Sequence, residues 1–599
     1  MKYQNIFLAI FLLAASCGHK EDNPPEEPED AVYNHLAAVD ALGRRLPSHE
    51  EAGDVRESKY VGLFYWTWHT QLSAMGARKA NNVSRILEEY PEAIHDFYHP
   101  AWPADEGNYV HGTNYYWGEP LYGYYLNTDR WVLRRHAELL ALAGVDVVIF
   151  DCTNGSYTWK ESCMELCSVF AEARRDGVRT PKIAFLLAFA ATQGSREAIG
   201  EIYRDLYRPG VYKDLFFMWK GKPLIMAYPD NLSDEIKNYF TFRPGQPLYN
   251  TGPSRDDQWG WLEIYPQHSY VPRYTGEYEQ TTVGVAQNWS AERGVTAMNA
   301  PGVFSRSYTA RQGQHTAPDA VNYGYNFQEQ WDKALEIDPQ FIFITGWNEW
   351  IAGRYETWGQ QYNAFPDEFS QEGSRDIEPM KGGHGDNYYY QMAANIRRFK
   401  GVGRTEPPSA PATVTVDGRF DDWKDVAPVY ETPAGNTFDR NSPGWAGLHF
   451  TDVTGRNDFV RAKVARNDEY LYFYMETSAD ITSPGAPGWM RLFINSDRER
   501  STGWEGYDYV INRLPPAGDK ATVERNSGGW SWETCAEADY RVSGKQMELR
   551  IPRRAVAMDG TLNFEFKWSD NMQQDGDIMD FYLHGDVAPA GRYNYVYQE

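Results

Sequence analysis

A regular alternation of strand-like and helix-like segments between residues 58 and 400 constrains the fold of this chain most. Short runs rich in Val, Ile and Phe alternate with stretches whose apolar residues recur at helical spacing. The strands are predicted at 61–66, 145–150, 183–189, 224–228, 248–250, 283–287 and 341–344. The helices are predicted at 131–143, 161–175, 195–207 and 326–336. This order indicates an α/β domain in which helices cover a parallel sheet, and an eight-stranded (β/α)8 barrel is the commonest closure at this length. A doubly wound open sheet is the alternative, but no glycine-rich phosphate loop supports it.

The chain changes character after residue 404. Residues 405–412 are rich in proline, so they can continue neither a helix nor a central strand. Beyond them, short apolar segments alternate with turns, which is typical of an all-β sandwich. We therefore predict an α/β domain over 56–404, a linker over 405–412 and a β-sandwich domain over 413–599.

The N-terminus is typical of an export signal. Lys2 precedes an apolar run, and small residues lead to Cys17. Residues 1–17 resemble a bacterial lipoprotein signal peptide, in which Cys17 would receive the lipid.

Residues 18–55 begin with an acidic, proline-containing stretch and are predicted to form a tether. An acidic stretch after the cysteine resembles the surface-export signal of Bacteroidetes lipoproteins. We expect an outer-membrane lipoprotein exposed on the cell surface, with a periplasm-facing anchor or a cleaved, unlipidated signal as alternatives.

Charge excludes several partners. The 599 residues include 83 acidic and 58 basic side chains, which argues against nucleic acid and against an anionic membrane surface as partners. Membrane contact is therefore expected only through the N-terminal lipid. Aromatic residues make up 15% of the chain, with 21 Trp and 42 Tyr. Such enrichment suits sugar-binding surfaces, although β-sandwich cores are also rich in aromatic residues.

One motif indicates chemistry. Residues 341–350 read Phe-Ile-Phe-Ile-Thr-Gly-Trp-Asn-Glu-Trp, a buried strand that ends at a glycine. Glu349 then lies between two tryptophans, where an unpaired buried carboxylate would be costly. In a sugar-cleaving site, however, aromatic faces hold the ring while a carboxylate acts at the anomeric carbon. The alternative is a solvated glutamate at the end of a strand.

Polar and aromatic residues also follow the other predicted strands. Active sites of (β/α)8 barrels lie at the carboxyl ends of their strands, so these residues are expected to converge. Asp151 and Glu263 are the candidates for a second catalytic carboxylate beside Glu349. The candidate sugar-binding residues are Tyr65, Trp66, His69, Asn154, Tyr228, Tyr265, Trp289, Trp347 and Asn348.

Other catalytic classes lack support in the sequence. No Ser-His-Asp or Cys-His arrangement and no His-Glu-x-x-His motif stands out. Cys163 and Cys167 are four residues apart without a nearby histidine to complete a zinc set. Buried free thiols are expected, and a disulfide from Cys152 to either of them is the alternative. The proposed chemistry requires neither an organic cofactor nor a metal.

The region 58–400 resembles glycoside hydrolase family 99 and its relatives, including family 71. The resemblance depends on Phe64-Tyr65-Trp66, on the helix and strand over 131–151, and above all on 331–350 with Ile-Thr-Gly-Trp-Asn-Glu-Trp. The family motif reads Asn-Glu-Trp-His-Glu-Gly, and its members are endo-acting on α-mannosides. The resemblance implies that Glu349 is the acid that assists attack on the anomeric centre.

The sequence departs from that motif at the second acid. Ala352 occupies the position of the family's proton donor, and loss of a general acid commonly costs 10²–10⁴-fold in rate. Three alternatives follow: another residue supplies the acid, the chemistry differs from that of the family, or the domain only binds glycan. Asp151 is the first candidate because it ends a strand, and Glu263 lies among aromatic residues that could raise its pKa. The further candidates are Glu356, Asp376 and Glu378.

The C-terminal region resembles carbohydrate-binding module family 9. Asp417-Gly418 with Asp421-Asp422-Trp423 resembles the opening of that module, and residues 467–472 resemble its central hairpin. The resemblance implies a sugar platform at Trp504 and Trp530, and acidic loops such as 497–505 could hold calcium. The alternative is a purely structural sandwich. Taken together, the sequence predicts a glycoside hydrolase acting on a complex polysaccharide or glycan, with a non-catalytic surface glycan-binding protein as the alternative.

Overall fold

The computed structural model describes residues 34–74, 77, 79–103, 114–271 and 276–599. The predicted signal peptide and Cys17 lie outside the described residues.

Five strands form a continuous parallel sheet in the first part of the chain. Their spatial order is Lys182–Leu187, Val147–Cys152, Tyr60–Tyr65, Phe341–Thr345 and Gln280–Gly284. These runs are fully or almost fully buried, as expected for parallel strands covered on both faces. The predicted mixed α/β class with a parallel sheet is confirmed.

Parallel pairing continues beyond this sheet through short contacts. Met226 forms a parallel bridge with Leu186, and Lys222–Ile225 pairs in parallel with Thr241–Phe242. A further parallel bridge joins Gly245 to Trp259. The strand predicted at 248–250 is absent, because the chain pairs earlier, at residues 241–242, and then turns.

Helices lie between the strands as the periodicity predicts. Arg130–Ala143 begins at Asp129, whose side chain accepts hydrogen bonds from the amides of Trp131 and Val132, and it ends at the left-handed Gly144. In the described ranges, the other α-helices are His49–Ala52, Val83–Glu89, Lys160–Arg175, Gln193–Ile202, Asp234–Tyr239, Tyr325–Ile337, Asn387–Lys400 and Asp580–Leu583.

Short strands complete the α/β part and its loops. They are Asn114–Tyr116, Met218–Trp219, Gln287–Ser290, Gly294–Val295, Val303–Phe304, Tyr308–Thr309, Gly313–Gln314, Ile351–Gly353, Tyr355–Trp358 and Gln361–Ala364. Ala352 lies in the first strand after Glu349, is fully buried, and pairs with Tyr115.

The C-terminal part is one large antiparallel sheet. Twelve strands belong to it, and the first of them comes from the N-terminal side of the chain. In spatial order they are Leu36–Ala37, Asn594–Gln598, Asn563–Asp570, Arg491–Asn495, Tyr509–Ile511, Lys520–Gly528, Ser531–Ser543, Gln546–Pro552, Tyr470–Thr477, Phe459–Arg466 and Val429–Glu431, with Asp586–Ala588 beside Asn563–Asp570. A separate hairpin is formed by Arg440–Pro443 and His449–Asp452.

This sheet folds over on itself, so its two halves share a core. Phe473 and Phe566 lie on strands that are not neighbours in the sheet, yet their ring centroids are 5.6 Å apart. The hydroxyl of Tyr430, at one edge, donates to the carbonyl oxygen of Val596 at the other end (2.9 Å). The predicted sandwich of separate sheets is thus a single curved sheet.

Residues 34–55 lie in the segment that the sequence predicts as a tether, but the structure packs them into the protein. Leu36–Ala37 pairs with Tyr595 and Asn594 of the large sheet. Arg397, on the last helix of the α/β part, donates to the carbonyl oxygen of Leu36 (3.0 Å). This segment therefore contacts both parts of the molecule.

Buried polar contacts join the two parts. Arg440, on the hairpin, donates to Asp129 (2.8 Å) and to the carbonyl oxygen of Tyr122 (3.0 Å). Arg592 donates to Asp386, which begins helix Asn387–Lys400 (2.6 Å). The α/β part and the β part therefore share a desolvated, ion-paired interface. In the part of the chain that the structure describes, no helix is long and apolar enough to cross a membrane.

Candidate active site

Glu349 follows the central strand Phe341–Thr345 after a turn at Gly346. The φ angle of Gly346 is 120°, and a Cβ at this position would collide with the carbonyl oxygen of Arg375. Only glycine tolerates this close approach. The strand end and the segment around Arg375 are therefore pressed together, with Glu349 only 2% exposed.

Arg375 binds Glu349 through two hydrogen bonds. Its Nε lies 3.1 Å from Oε2 and its Nη2 lies 2.8 Å from Oε1. The backbone amide of Arg375 donates to Glu368 (3.0 Å). Such a bidentate pair fixes both the position and the orientation of the carboxylate.

Asp367 is the solvent-facing acid of a cluster that also contains Glu349, Glu368 and Arg375. Its side chain is 49% exposed, whereas that of Glu349 is 2% exposed. Its Oδ1 lies 3.4 Å from Arg375 Nη2 and 3.3 Å from Asn288 Nδ2. Asn288 is in turn held by the hydroxyl of Tyr249 (2.8 Å). Asp367 is thus held at the open side of the cluster.

Asp151 ends strand Val147–Cys152, two strands away from the strand that leads to Glu349. Its Oδ1 accepts hydrogen bonds from the amide (3.0 Å) and hydroxyl (2.8 Å) of Thr153. Its Oδ2 is buried and accepts no hydrogen bond from any residue that the structure describes. Burial raises the pKa of Asp151 to about 6, the hydrogen bonds from Thr153 oppose this rise, and the charge of Asp367 adds to it.

Glu349 also has a raised pKa. Burial is the main cause, the Arg375 guanidinium opposes it, and the charges of Asp367 and Asp151 add to it, so that the pKa is about 7. The charge of Asp367 thus raises the pKa of both Asp151 and Glu349.

Two further buried acids, Glu368 and Asp376, are affected by the charge of Glu349. Burial and the charge of Glu349 raise the pKa of Glu368 well above its usual value. Burial raises the pKa of Asp376 as well, although the Arg306 guanidinium opposes the rise. Five carboxyl groups thus face two guanidinium groups in this cluster, so some of the acids keep their protons near neutral pH.

A stack of aromatic rings leads from the surface to the strand between the two acids. Tyr157 is 58% exposed and stacks on Trp159 at 5.4 Å. Trp159 lies 5.3 Å from Trp68, and Trp68 lies 4.5 Å from Trp66, which is buried. Trp68 is close enough to Asp151 to lower the pKa of its carboxyl, without the geometry of a hydrogen bond.

The indole N–H groups of this stack are buried and unpaired. Trp66, Trp68 and Trp159, as well as the nearby Trp261, find no acceptor among the residues that the structure describes. Asn348 fixes the backbone of Trp66 by accepting from its amide (2.8 Å) and donating to its carbonyl oxygen (3.2 Å). The site therefore offers aromatic rings and free donors beside carboxyl groups.

Several predicted site residues lie in other surroundings. The carboxylate of Glu263 accepts from the hydroxyl of Tyr270 (2.7 Å) and from the amide and ring of His268 (3.1 and 3.0 Å). Tyr65 is buried, and its hydroxyl contacts His136 (2.8 Å). The ring of Trp347 packs edge-on against His136 at 5.4 Å and is fully buried. Glu263, Tyr65 and Trp347 are thus paired or packed with residues other than Glu349.

The remaining candidates are dispersed. His69 is fully buried, and burial lowers its pKa to about 3. Asn154 is exposed, and Tyr265 is 37% exposed. Tyr228 is half-buried beneath Arg255, and Trp289 packs edge-on against Phe304 at 5.0 Å. The structure gives none of these a contact with Glu349.

The three further acids that the sequence offers as candidates, Glu378, Asp376 and Glu356, differ in how completely their oxygens are paired. Glu378 is fully buried and accepts from Tyr125, Trp350 and His136 at 2.9, 2.6 and 2.8 Å. Such complete pairing suits a structural acid. Asp376 contacts the indole of Trp117 through one oxygen, and its other oxygen is unpaired among the described residues. Glu356 accepts from Tyr98 (3.2 Å).

The predicted sugar platform of the β part is largely covered. Trp504 is 5% exposed, and Trp530 packs edge-on against it at 4.4 Å. Within the described ranges, no group of three or more His, Cys, Asp or Glu side chains is placed to hold a metal ion. The four cysteines that the structure describes are free, and Cys152, Cys163 and Cys167 are buried.

Sequence reasoning missed Asp367, Glu368 and Arg375 as members of the site. Arg375 belongs to a polar stretch over 374–390, but nothing in the sequence of that stretch identifies Glu349 as its partner. Asp367 follows a proline in a loop without a recognisable motif. Their placement depends on a chain reversal that brings residue 375 back to Gly346.

Comparisons with known proteins assign no family. No family model matches the chain, and no curated protein matches it. Among solved structures, two of a GH99 endo-α-mannosidase from Bacteroides thetaiotaomicron are similar at 15% and 14% identity; each covers 57% of this chain and 97% of that chain, with a TM-score of 0.32. A structure of SpGH29 is similar at 10% identity, covering 85% of this chain and 95% of that chain, with a TM-score of 0.21.

Proposed function

We propose that this chain is a glycoside hydrolase acting on a polysaccharide or complex glycan, with Glu349 at the centre of its site. The observation that carries the proposal is the pairing of Glu349 with Asp151 at the same edge of one parallel sheet. Their strands flank Tyr60–Tyr65, so the two strands, though not necessarily the two carboxyl groups, are two strand spacings or roughly 10 Å apart. Glycosidases place their two carboxyl groups at about 5 to 10 Å.

The protonation of the two acids supports this chemistry. Hydrolysis of a glycosidic bond requires one carboxyl group that donates a proton and one that accepts a proton or stabilises the developing charge. Burial raises the pKa of Asp151 and of Glu349 towards neutral pH, so each carboxyl group can take up or release a proton there.

The aromatic stack supports a sugar as the ligand. Sugar rings pack their C–H faces and edges against indole and phenol rings, while their hydroxyl groups accept from N–H donors. Tyr157, Trp159, Trp68 and Trp66 supply such rings in a row. The indole N–H groups of Trp66, Trp68 and Trp159 are buried and unpaired among the described residues, so the exposed ring of Tyr157 is the part of the stack that a glycan meets first.

The finer features of the proposal concern architecture and location. The parallel segments around residues 224–226, 241–245 and 259 would close the five-stranded sheet into a (β/α)8 barrel. A family 99-like, endo-acting α-mannosidase is the specific activity that the sequence motif favours. Lipidation at Cys17 would place the protein at the outer membrane, with its β part supporting the barrel and, through Trp530, a surface for sugar.

A non-catalytic glycan-binding protein is the second candidate. The observation in its favour is that Arg375 engages both carboxylate oxygens of Glu349. A carboxylate held in this way is less available to act as an acid or a base than a free one.

The test compares the protein without its predicted signal and lipid-bearing cysteine, residues 18–599, with its Glu349→Gln and Asp151→Asn variants on a panel of plant, fungal and host polysaccharides, and measures released sugars. We expect product from the wild type and a loss of 10²-fold or more in both variants. Product size then distinguishes endo from exo cleavage.

Glu263→Gln is the matched control, because Glu263 is an equally buried glutamate that is paired elsewhere. If this variant loses activity while Asp151→Asn keeps it, the second carboxylate has been misassigned. If all variants and the wild type retain a glycan in affinity electrophoresis but release nothing, the protein binds without cleaving.

A further inference from the structure

Asp367 is the acid of the cluster that a ligand can reach from solvent. Glu349 is 2% exposed, Asp151 is fully buried, and Glu368 is fully buried, whereas half of the Asp367 side chain is exposed. A glycosidic oxygen entering the site would therefore meet Asp367 before the buried acids.

Hydrogen bonds within the loop around Asp367 hold its side chain towards solvent. Arg375 donates its backbone amide to Glu368, and the amide of Phe369 donates to the carbonyl oxygen of Gly373 (2.9 Å), so the loop closes on itself. As a result, Glu368 points into the protein while its neighbour Asp367 points outward.

The hydrogen bonds of the three acids also differ. Both oxygens of Glu349 accept from Arg375, and Oδ1 of Asp151 accepts twice from Thr153. Asp367 uses Oδ1 for long contacts with Arg375 and Asn288. The other oxygen of Asp367, Oδ2, accepts no hydrogen bond from the residues that the structure describes. The side chain that carries it is 49% exposed.

The geometry points to Asp367 as a third catalytic carboxyl, the proton donor to the leaving oxygen of the bound glycan. This inference rests on the proposed function. Asp367 gives its proton to the glycosidic oxygen, and the bond from that oxygen to the anomeric carbon breaks with its electron pair moving to the oxygen. A water molecule adds to the anomeric carbon and gives up a proton to the carboxylate of Asp151 or Glu349. That proton returns to Asp367 through the cluster, so that each cycle consumes one water molecule.

Charged and titratable groups from several elements face Asp367. Arg375 and Glu368 belong to its own loop, and Glu349 and Asp151 lie at the strand ends. Tyr249 and Tyr355 complete the surroundings, because the charge of Asp367 raises the pKa of both hydroxyl groups in addition to the larger effect of burial.

The experiment compares Asp367→Asn with the wild type on two substrates: the polysaccharide that the wild type cleaves best, and the 2,4-dinitrophenyl glycoside of the sugar it releases. A dinitrophenolate leaves without protonation. We expect the turnover rate on the polysaccharide to fall by about 10²–10⁴-fold, and the turnover rate on the aryl glycoside to fall by less than about tenfold. A merely structural role would lower both rates equally.

Asp338→Asn is the matched control. Its side chain is 50% exposed and paired with Lys59, and it precedes strand Phe341–Thr345 at the end away from Glu349. We expect this variant to keep wild-type rates on both substrates. Equal losses on the two substrates, or full activity of Asp367→Asn in an enzyme that Glu349→Gln inactivates, would overturn the role of Asp367 alone. A wild type that cleaves no glycan would overturn the proposed function as well.

Discussion

The guanidinium of Arg375 binds the carboxylate of Glu349 at 2.8 and 3.1 Å, and each of the two side chains is 2% exposed. The partners are 26 residues apart in the chain and meet because Gly346 lets the backbone of Arg375 approach the end of the central strand. A buried pair of this kind is sensitive to the loss of one partner, since the other is left charged and desolvated.

Replacing Arg375 by Met should therefore destabilise the protein by about 3–5 kcal/mol and raise the pKa of Glu349 further. Thermal unfolding at pH 7 followed by tryptophan fluorescence would measure the loss. The double variant Arg375→Met/Glu349→Gln is the control, because it replaces the unpaired buried acid by a neutral amide. We expect it to recover a large part of the lost stability, and a double variant as unstable as the single one would show that the ion pair is not the cause.

Gly346→Ala should be strongly destabilising. A Cβ at Gly346 would collide with the carbonyl oxygen of Arg375, and the φ angle of 120° is unfavourable for alanine. Gly528→Ala separates these two effects, because Gly528 has a φ angle of 122° and nothing lies within 4 Å of its added Cβ.

Conformational strain at such a position costs about 1–3 kcal/mol, and the collision adds to it at Gly346 alone. We expect a clearly larger fall in melting temperature for Gly346→Ala than for Gly528→Ala. Similar shifts in the two variants would mean that the segment around Arg375 moves aside without loss.

The sequence predicts the strand that leads to Glu349 better than the surroundings of Glu349. The apolar run over 341–344 and the following glycine identify a buried strand and its end, and the structure gives Phe341–Thr345. Likewise, Asp129 and Gly144 mark a helix whose limits differ from the prediction by one residue. Local patterns suffice here, because periodicity and capping depend on neighbouring residues.

Long-range pairing accounts for what the sequence does not reveal. Asp151 is predicted because it ends a strand, but Asp367 and Arg375 lie in loops where no periodicity applies. Leu36 is read as part of a polar tether, although it pairs with Tyr595 at the far end of the chain. A contact between residues so distant in the chain leaves no local signature in a single sequence.

Replacing Asp151 by Asn should change how stability depends on pH. The pKa of Asp151 is raised from 3.8 to about 6, so the folded state favours its neutral form. The stabilisation is therefore complete below pH 3.8 and is lost as the pH rises through about 6. At about 1.4 kcal/mol for each pKa unit, the loss amounts to about 3 kcal/mol.

Urea unfolding of the wild type and Asp151→Asn at pH 4.5 and pH 7.5 would test this. We expect the variant to gain stability relative to the wild type at the higher pH, because asparagine carries no charge to bury. Asp338→Asn serves as the control, since its paired carboxyl has a lowered pKa and its contribution changes in the opposite direction. A constant difference between wild type and Asp151→Asn at both pH values would contradict the prediction.

The interface between the two parts should make them unfold together. Arg440, on the hairpin of the β part, donates to Asp129, which also caps helix Arg130–Ala143. Both side chains are buried, so Arg440→Ala leaves an unpaired charge at the start of that helix and should cost about 3–5 kcal/mol.

Arg461→Ala is the control, because Arg461 is 41% exposed and paired at the surface with Glu476, where an ion pair contributes about 0–1 kcal/mol. Differential scanning calorimetry should show a single transition that moves to lower temperature in Arg440→Ala and hardly moves in Arg461→Ala. Two separate transitions in the wild type, or equal shifts in the two variants, would show that the α/β part and the β part fold independently of this contact.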